Sequence, residues 1–417
     1  MQTCDNTPGL MPIDQAIEQL VTQVSQVTDT ECIKYHQGSG RTLASAVKSP
    51  IDVPNFNNSA MDGYALCLAD NLDTADLPKQ FALVGSALAG QPYLGELSPG
   101  QCIRIMTGAK VPSAATAVVM QENTQVSDQQ VTINGDYKIG QNIRLAGEDI
   151  SQQQEVFPAG HQLKTVDVGL IASLGIEDIN VYRKVKIAVM ATGDELKQPG
   201  QSLNDGDIYE TNRTVLKAML AKLAVDVIDF GIIADDQATI KQAFIDANQQ
   251  ADIVISSGGV SVGDADYVKE VLAQLGTIEF WKVAIKPGKP FAFGKLSDSY
   301  FFGLPGNPVS ATVTFDQLVL PALNKIAGTS VNPRQQLLLN AITTRNIRKR
   351  PGRADYQRAV ASIDDNGQLT VTPLSRQGSG VLSSLSQANC YLVLAQDNAG
   401  VSAGEQVKVL MFGSLLN

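Results

Sequence analysis

Histidine is almost missing from this chain: His36 and His161 are the only two in 417 residues. A histidine-rich zinc or iron centre is therefore not expected, and any metal should be a hard ion held by carboxylates. Neither histidine has a partner at ligand or triad spacing, so both read as structural. The five cysteines (Cys4, Cys32, Cys67, Cys102, Cys390) are odd in number, scattered and without a CxxC pair, which argues against a disulfide framework. No apolar run approaches the ~20 residues that a membrane span needs. The opening MQTCDNTPGLMPIDQAIEQL has neither a basic n-region nor an apolar core, so no secretory leader is expected and the cytoplasm is the default. Positive charge is also in short supply. Lys and Arg number 32 against 42 Asp and Glu, and a net charge of −10 argues against nucleic-acid binding. An anionic ligand would be repelled by the whole-protein field. Local lysines, arginines, helix N-termini or a bound divalent cation must capture it instead. No GxSxG, P-loop or GxGxxG motif occurs.

With 44% hydrophobic and 18% charged residues the composition is that of an ordinary globular protein. At about 150 residues per domain the length implies roughly three cores. Between about 185 and 328, short apolar runs alternate with amphipathic stretches. KVKIAVMA (184–191), VDVIDFGII (225–233) and DIVISS (252–257) read as strands, and residues 211–223 put Val215, Leu216, Met219, Leu220 and Leu223 on one helical face. A helix over 238–247 and one over 267–275 follow, then short strands IEFWKV, PFAFG and YFFGL and a helix opened by Pro308. This rhythm predicts a mainly parallel sheet with helices on both faces, an α/β fold whose ligands bind beyond the carboxyl ends of the strands. Residues 53–147 are β-rich, with Asn134-Gly135 as a hairpin signal, and so is the tail, with Asn366-Gly367 as another. The first ~50 residues look mostly helical. They are expected to join 148–180 in a discontinuous domain (8–52 and 148–180), leaving 53–147 as an insert, 181–331 as the α/β domain and 332–417 as a small C-terminal β-domain.

The chemistry-bearing residues sit in loops at predicted strand ends. SSGGVSVGDAD (256–266) offers Ser257, Gly258, Gly259, Ser261 and Gly263 for close backbone approach to a phosphate, with Asp264 and Asp266 as cation ligands; a tight turn with an aspartate cap is the alternative. ATGDEL (191–196) brings Asp194 and Glu195, and Asp235-Asp236 follow the next strand; each can ligate Mg²⁺, activate water or cap a helix. WKVAIKPGKP (281–290) spaces Lys282, Lys286 and Lys289 over a loop stiffened by Pro and Gly, which suits a tetrahedral oxyanion or phosphate. GLPGNPVS (303–310) carries Pro305 and Pro308, and RNIRKRPGR (345–353) is a cationic run that is either solvated or in contact with an anion. In the insert, Asp62, Thr107, Arg144, Glu148 and Asp149 lie in glycine-bearing turns.

Taken in order, NNSAMDGYA, RIMTGA, NIRLAGEDI, ATGDEL, SSGGVSVGDADY, WKVAIKPGKPFAFG, GLPGNPVS and QGSGVLSSLSQANCYLVL resemble the molybdopterin molybdenumtransferase family (MoeA and the gephyrin E domain). The resemblance spans essentially the whole chain. It implies Mg²⁺-dependent insertion of molybdenum from molybdate into adenylylated molybdopterin with release of AMP. It also implies a homodimer of four-domain subunits, with other cofactor-biosynthesis enzymes as possible partners. Each active site would lie between the α/β domain of one subunit and the insert of the other. Catalytic work would then fall to Asp62, Thr107, Asp149, Glu195, Asp235 and Asp266, of which Glu195, Asp235 and Asp266 would hold the metal. Substrate would be bound by Lys282, Lys286, Arg144, Ser257, Gly258, Gly259, Ser261, Gly263, Pro305, Pro308 and Ser379. Gly380 departs from the pattern, since many relatives carry histidine there. An adenylyltransferase acting one step earlier would share the α/β domain but lack the insert and the tail, and a scaffold would neither bind molybdate nor release AMP.

Overall fold

The computed structural model describes residues 9–69, 77–258, 267–330 and 337–416. At its centre is a six-stranded sheet in the order Val225–Ile233, Val185–Thr192, Ile253–Ser257, Tyr300–Leu304, Pro290–Leu296, Gly276–Lys282. The first four strands are parallel, and Pro290–Leu296 runs against both of its neighbours. Alternation along Val185–Thr192 explains why helices cover both faces. Val185, Ile187 and Val189 enter one core, and Ala188 and Met190 enter the other. Asn212–Leu220 and the segment from Pro308 to Ile326 lie on the first face, while Gln237–Gln250 and Tyr267–Leu275 lie on the second. Burying one Leu or Phe side chain in such a core stabilises by roughly 1.5–3 kcal/mol. The apolar rows of Leu216, Met219 and Leu220 and of Ile240 and Phe244 therefore bind their helices to the sheet. Pro321 lacks an amide to continue the helical ladder, and a π turn at Phe315–Val319 precedes it.

The insert is another six-stranded sheet, in the order Ala117–Met120, Gly63–Leu66, Gln101–Ile105, Gln80–Ala87, Gln130–Ile133, Thr124–Ser127. Tyr64 and Leu66 pack on one side of it, and Ala65 and Cys67 on the other. The hairpin here is not made by Asn134-Gly135. Its turn is Asp128-Gln129, both at positive φ (49° and 63°), between Thr124–Ser127 and Gln130–Ile133. In the tail, Ala354–Ile363, Leu369–Pro373, Leu338–Thr343, Gln406–Met411 and Cys390–Leu394 pair in sequence around the sheet, and Cys390–Leu394 returns to Ala354–Ile363 to close it. Asn366-Gly367 does turn a hairpin, setting Ile363 opposite Leu369.

The first ~50 residues are less helical than their sequence suggests. One α-helix, Ile13–Gln23, is followed mainly by short strands. Thr30–Lys34 pairs with Asp178–Tyr182 and Val47–Lys48 with Glu155–Phe157, around a core of Leu43, Phe157, Ile171 and Val181. The helix itself lies elsewhere: Ala16 and Leu20 are fully buried in the α/β core, beside Leu323 and Ile326. An amphipathic face specifies that it must be covered, not by what. One further link fixes the site. Ile285–Lys286 leaves the α/β sheet to pair, in parallel, with Ala354-Asp355 of the closed tail sheet. Among the described residues no helix is long and apolar enough to cross a membrane.

Candidate functional site

The carboxyl ends of the parallel strands open into a pocket of about 880 Å³. Gly193 and Gly258 show why two of these loops need glycine. A Cβ on Gly193 (φ +145°) would sit 2.6 Å from the Glu195 carboxylate, and one on Gly258 (φ +96°) would sit 2.9 Å from the Thr192 carbonyl oxygen. The four acidic residues of these strand ends then separate by role. Asp236 caps the helix Gln237–Gln250, accepting from the Thr239 amide at 2.9 Å. Asp194 accepts from the Asp235 amide at 2.9 Å, which orders the turn. Glu195 and Asp235 line the pocket. Burial raises the Asp235 carboxyl above its ordinary range, and the charges of Asp194 and Glu195 raise it further.

Where the pocket borders a second cleft it is cationic. Lys286, Lys289 and Arg353 line it, together with Gln377, Gly378 and Ser379. Lys286 is not a free ammonium: it pairs with buried Asp355 at 3.0 Å, and Asp355 also accepts from Gln357 at 3.1 Å. Lys282 does not reach the pocket. It is exposed at the end of the strand Gly276–Lys282, where strand alternation turns Trp281 inward and Lys282 outward.

The remaining expected residues divide in the same way. Pro305 and Gly258 line the pocket, but Pro308 starts its helix outside the lining. Ser257 is buried, its hydroxyl accepting from Asn212 Nδ2 at 2.7 Å; the same amide group donates to the Gly306 carbonyl at 2.7 Å, tying two strand-end loops together. Gly259, Ser261, Gly263, Asp264 and Asp266 lie outside the described residues. Among those described, no cluster of three or more His, Cys, Asp or Glu side chains is arranged to hold a metal.

Asp62, Thr107, Arg144 and Asp149 do not line this pocket. They gather on a separate loop cluster of the insert. Ser59 receives the Gly108 amide, Asn57 receives that of Ala146, and Asp149 donates its amide to Val53. There Asp62 accepts from the Thr107 amide at 2.7 Å and from its hydroxyl at 2.8 Å. These two bonds, and more weakly the Arg104 charge, hold the Asp62 carboxyl below its usual range.

Several residues that line the pocket or hold its walls carried no individual sequence signal. Arg358 is 1% exposed. It donates to Ser384 Oγ at 3.0 Å and the Gly378 carbonyl at 3.2 Å, holding the segment that presents Gln377 and Ser379. Asn307 and Ser310 lay inside GLPGNPVS, and Arg353 inside the cationic run, where only the fold separates them from their neighbours. Gly380 lies next to Asn307; a Cβ there would meet its side-chain oxygen at 3.8 Å, an ordinary contact. With two carboxylates and three cations in one lining, the pocket suits an anionic substrate together with a cation.

Comparison with known proteins covers the same ground. Residues 11–175 match the family described as MoeA N-terminal region (domain I and II), 188–325 the probable molybdopterin binding domain, and 340–412 the MoeA C-terminal region (domain IV). A molybdopterin molybdenumtransferase of Haemophilus influenzae is 44% identical over 408 residues, covering 98% of this chain and 100% of that protein. One from a Nostoc species is 33% identical over 97% of this chain and 93% of its own length. The crystal structure of a molybdopterin biosynthesis MoeA protein from Pyrococcus horikoshii superposes with a TM-score of 0.82 at 29% identity, covering 97% of this chain and 100% of that one.

Proposed function

The chain belongs to the molybdopterin molybdenumtransferase family, and from that membership we propose that its strand-end pocket is where molybdenum enters molybdopterin. The protein is a transferase of molybdenum-cofactor biosynthesis. Its substrates are adenylylated molybdopterin and molybdate, and AMP is the leaving product. The observation that carries the placement is the mixed charge of one lining: Glu195 and Asp235 face this pocket alone, while Lys286, Lys289 and Arg353 line it where it borders a second cleft.

Where the lining is cationic, Lys286, Lys289 and Arg353 with the Ser379 hydroxyl hold the tetrahedral dianion; the Lys286–Asp355 pair keeps one ammonium aimed rather than mobile. At the two carboxylates, the donor chemistry fits Mg²⁺. Burial, and then the charges of Asp194 and Glu195, raise the Asp235 carboxyl, and a divalent cation would relieve both costs. Glu195 and Asp235 would hold the ion with substrate phosphate oxygens and water, Asp266 being the third candidate, a ligand set usual for Mg²⁺. Bound there, the ion supplies charge stabilisation for cleavage of the phosphate linkage to AMP. Gly258 keeps the backbone close to the pterin phosphate, with Gly259, Ser261 and Gly263 proposed to continue that cradle.

Asp62 and Thr107 act on the pocket of a second copy, with Arg144 and Asp149 beside them, so the working unit is a homodimer with shared sites. The reaction belongs in the cytoplasm, where other enzymes of the pathway hand over the substrate. The test is a turnover assay with purified protein, adenylylated molybdopterin, molybdate and Mg²⁺, repeated after chelation. AMP and cofactor-bound molybdenum should appear together and stop together when the divalent ion is removed. Full insertion in the presence of chelator would overturn the metal assignment. No insertion under any condition would overturn the reading.

A further inference from the structure

A second cleft, of about 690 Å³, adjoins the cationic part of the pocket. The two share Lys286, Lys289 and Arg353, whereas Glu195 and Asp235 line only the inner one. The outer wall is built from Arg348, Lys349 and Arg350, part of the cationic run for which the inner pocket has no use. Arg348 and Arg350 are exposed. The one carboxylate lining the cleft, Asp355, is taken by Lys286. Among the described residues neither arginine forms an ion pair. Lys349 is turned inward, donating to the carbonyls of Asn398 at 2.9 Å, Gln396 at 3.2 Å and Arg350 at 3.4 Å. Asp355 and Asp397 are the carboxylates whose charge reaches it. The Gly352 amide adds a bond to the Gln396 carbonyl at 2.8 Å. The two exposed arginines, two residues apart, are thus displayed from a fixed backbone into one cleft, in a protein of net charge −10.

Unneutralised cations held side by side repel one another, and an anion relieves that repulsion. A tetrahedral dianion feels each arginine twice as strongly as a monoanion does. The rest of this protein repels it. We propose that the outer cleft gathers the oxyanion substrate: Arg348 and Arg350 draw a molybdate-like dianion in and pass it to Lys286, Lys289 and Arg353. This rests on the insertion reading of the inner pocket. The dianion is the expected occupant because the cleft adjoins the pocket away from Glu195 and Asp235, where the adenylylated substrate's phosphates are placed. Such a field acts over about a Debye length, ~10 Å at 0.1 M salt. Clefts of one sign concentrate counter-charged ligands by roughly 10- to 1000-fold.

The experiment uses the full chain with Arg348→Glu and Arg350→Glu combined, the Arg348→Gln/Arg350→Gln pair as a milder version should the first fail to fold, and Arg348→Lys/Arg350→Lys as the conservative control. Calorimetric binding of molybdate alone is compared at low and high salt, together with the molybdate and adenylylated-molybdopterin concentrations for half-maximal insertion. Charge reversal should weaken molybdate binding about tenfold at low salt. The gap should close near 1 M salt, where the screening length is about 3 Å. The lysine pair should stay close to the parent, and adenylylated-molybdopterin dependence should move far less. Unchanged molybdate binding at low salt, a loss that persists at high salt, or a selective loss of adenylylated-molybdopterin affinity each overturns the proposal. If molybdate binding behaves as described but the parent protein inserts no metal, the gathering role stands and the insertion reading falls.

Discussion

Replacing Lys286 with alanine should produce two separable defects, and the structure says how to separate them. The lysine side chain is 44% exposed, but its partner Asp355 is only 3% exposed and retains a single other donor, Gln357. Truncation therefore strands a buried carboxylate. The expected loss of stability is about 1–3 kcal/mol. It falls below the ~3–5 kcal/mol of a fully buried pair because the lysine end sits partly in water. Separately, a dianion loses a charge-assisted contact worth about 1.5–3 kcal/mol, a roughly ten- to hundredfold rise in the molybdate needed for half-maximal insertion. Adding Asp355→Asn removes the stranded charge. The double variant should recover most of the stability, read by circular dichroism in urea, while its molybdate dependence stays raised. Lys286→Arg should restore it only in part, because a planar fork does not present charge as a compact ammonium does. A double variant with parental molybdate dependence would show that the lysine serves only Asp355. A fall in adenylylated-molybdopterin affinity with molybdate dependence intact would assign it to the phosphates.

Asp62→Ala and Glu195→Ala should each keep the parental circular dichroism spectrum and lose most insertion, since both side chains sit in loops outside the apolar cores; near-parental AMP release in either removes that residue from the site. Mixing these two inactive variants should recover activity in verified heterodimers, because one composite site is then intact, and no recovery would contradict sharing between subunits. Asp316, half-buried in the π turn, has a carboxyl pushed up to about 6 by desolvation. Its folded pKa is raised, so the fold is favoured below about pH 4 and loses that advantage as pH rises through about 6. Asp316→Asn should accordingly gain on the order of 3 kcal/mol at pH 8 and nothing at pH 4, a conversion of roughly 1.4 kcal/mol per pKa unit; parallel stability curves for the two proteins would rule out that titration.

The strands, the two-sided helical cover and the loops at strand ends were legible because each follows from local periodicity. Val185–Thr192 and Asn212–Leu220 lie within two or three residues of their expected spans. What pairs with what was less legible. Lys286 meets Asp355, 69 residues away, through a parallel bridge that no short-range pattern encodes. The helix Ile13–Gln23 joined the α/β core, and the turn at Asp128-Gln129 uses non-glycine residues at positive φ that Asn-Gly statistics overlook. Within the lysine loop, Lys282 and Lys286 were expected at the substrate and Lys289 was not. The strand end at Lys282 removes one of them from the pocket and leaves Lys289 and Arg353 beside Lys286.

The central claim is that one pocket joins the two halves of the reaction, and a single-turnover experiment addresses it most directly. Purified protein is loaded with adenylylated molybdopterin and Mg²⁺, freed of excess ligand, and mixed with molybdate, and AMP and cofactor-bound molybdenum are quantified over time. One AMP should be released for each molybdenum inserted, with both amounts falling together in Asp235→Asn and Lys286→Ala. AMP release without metal uptake, or metal uptake that leaves the adenylyl group in place, would contradict the account.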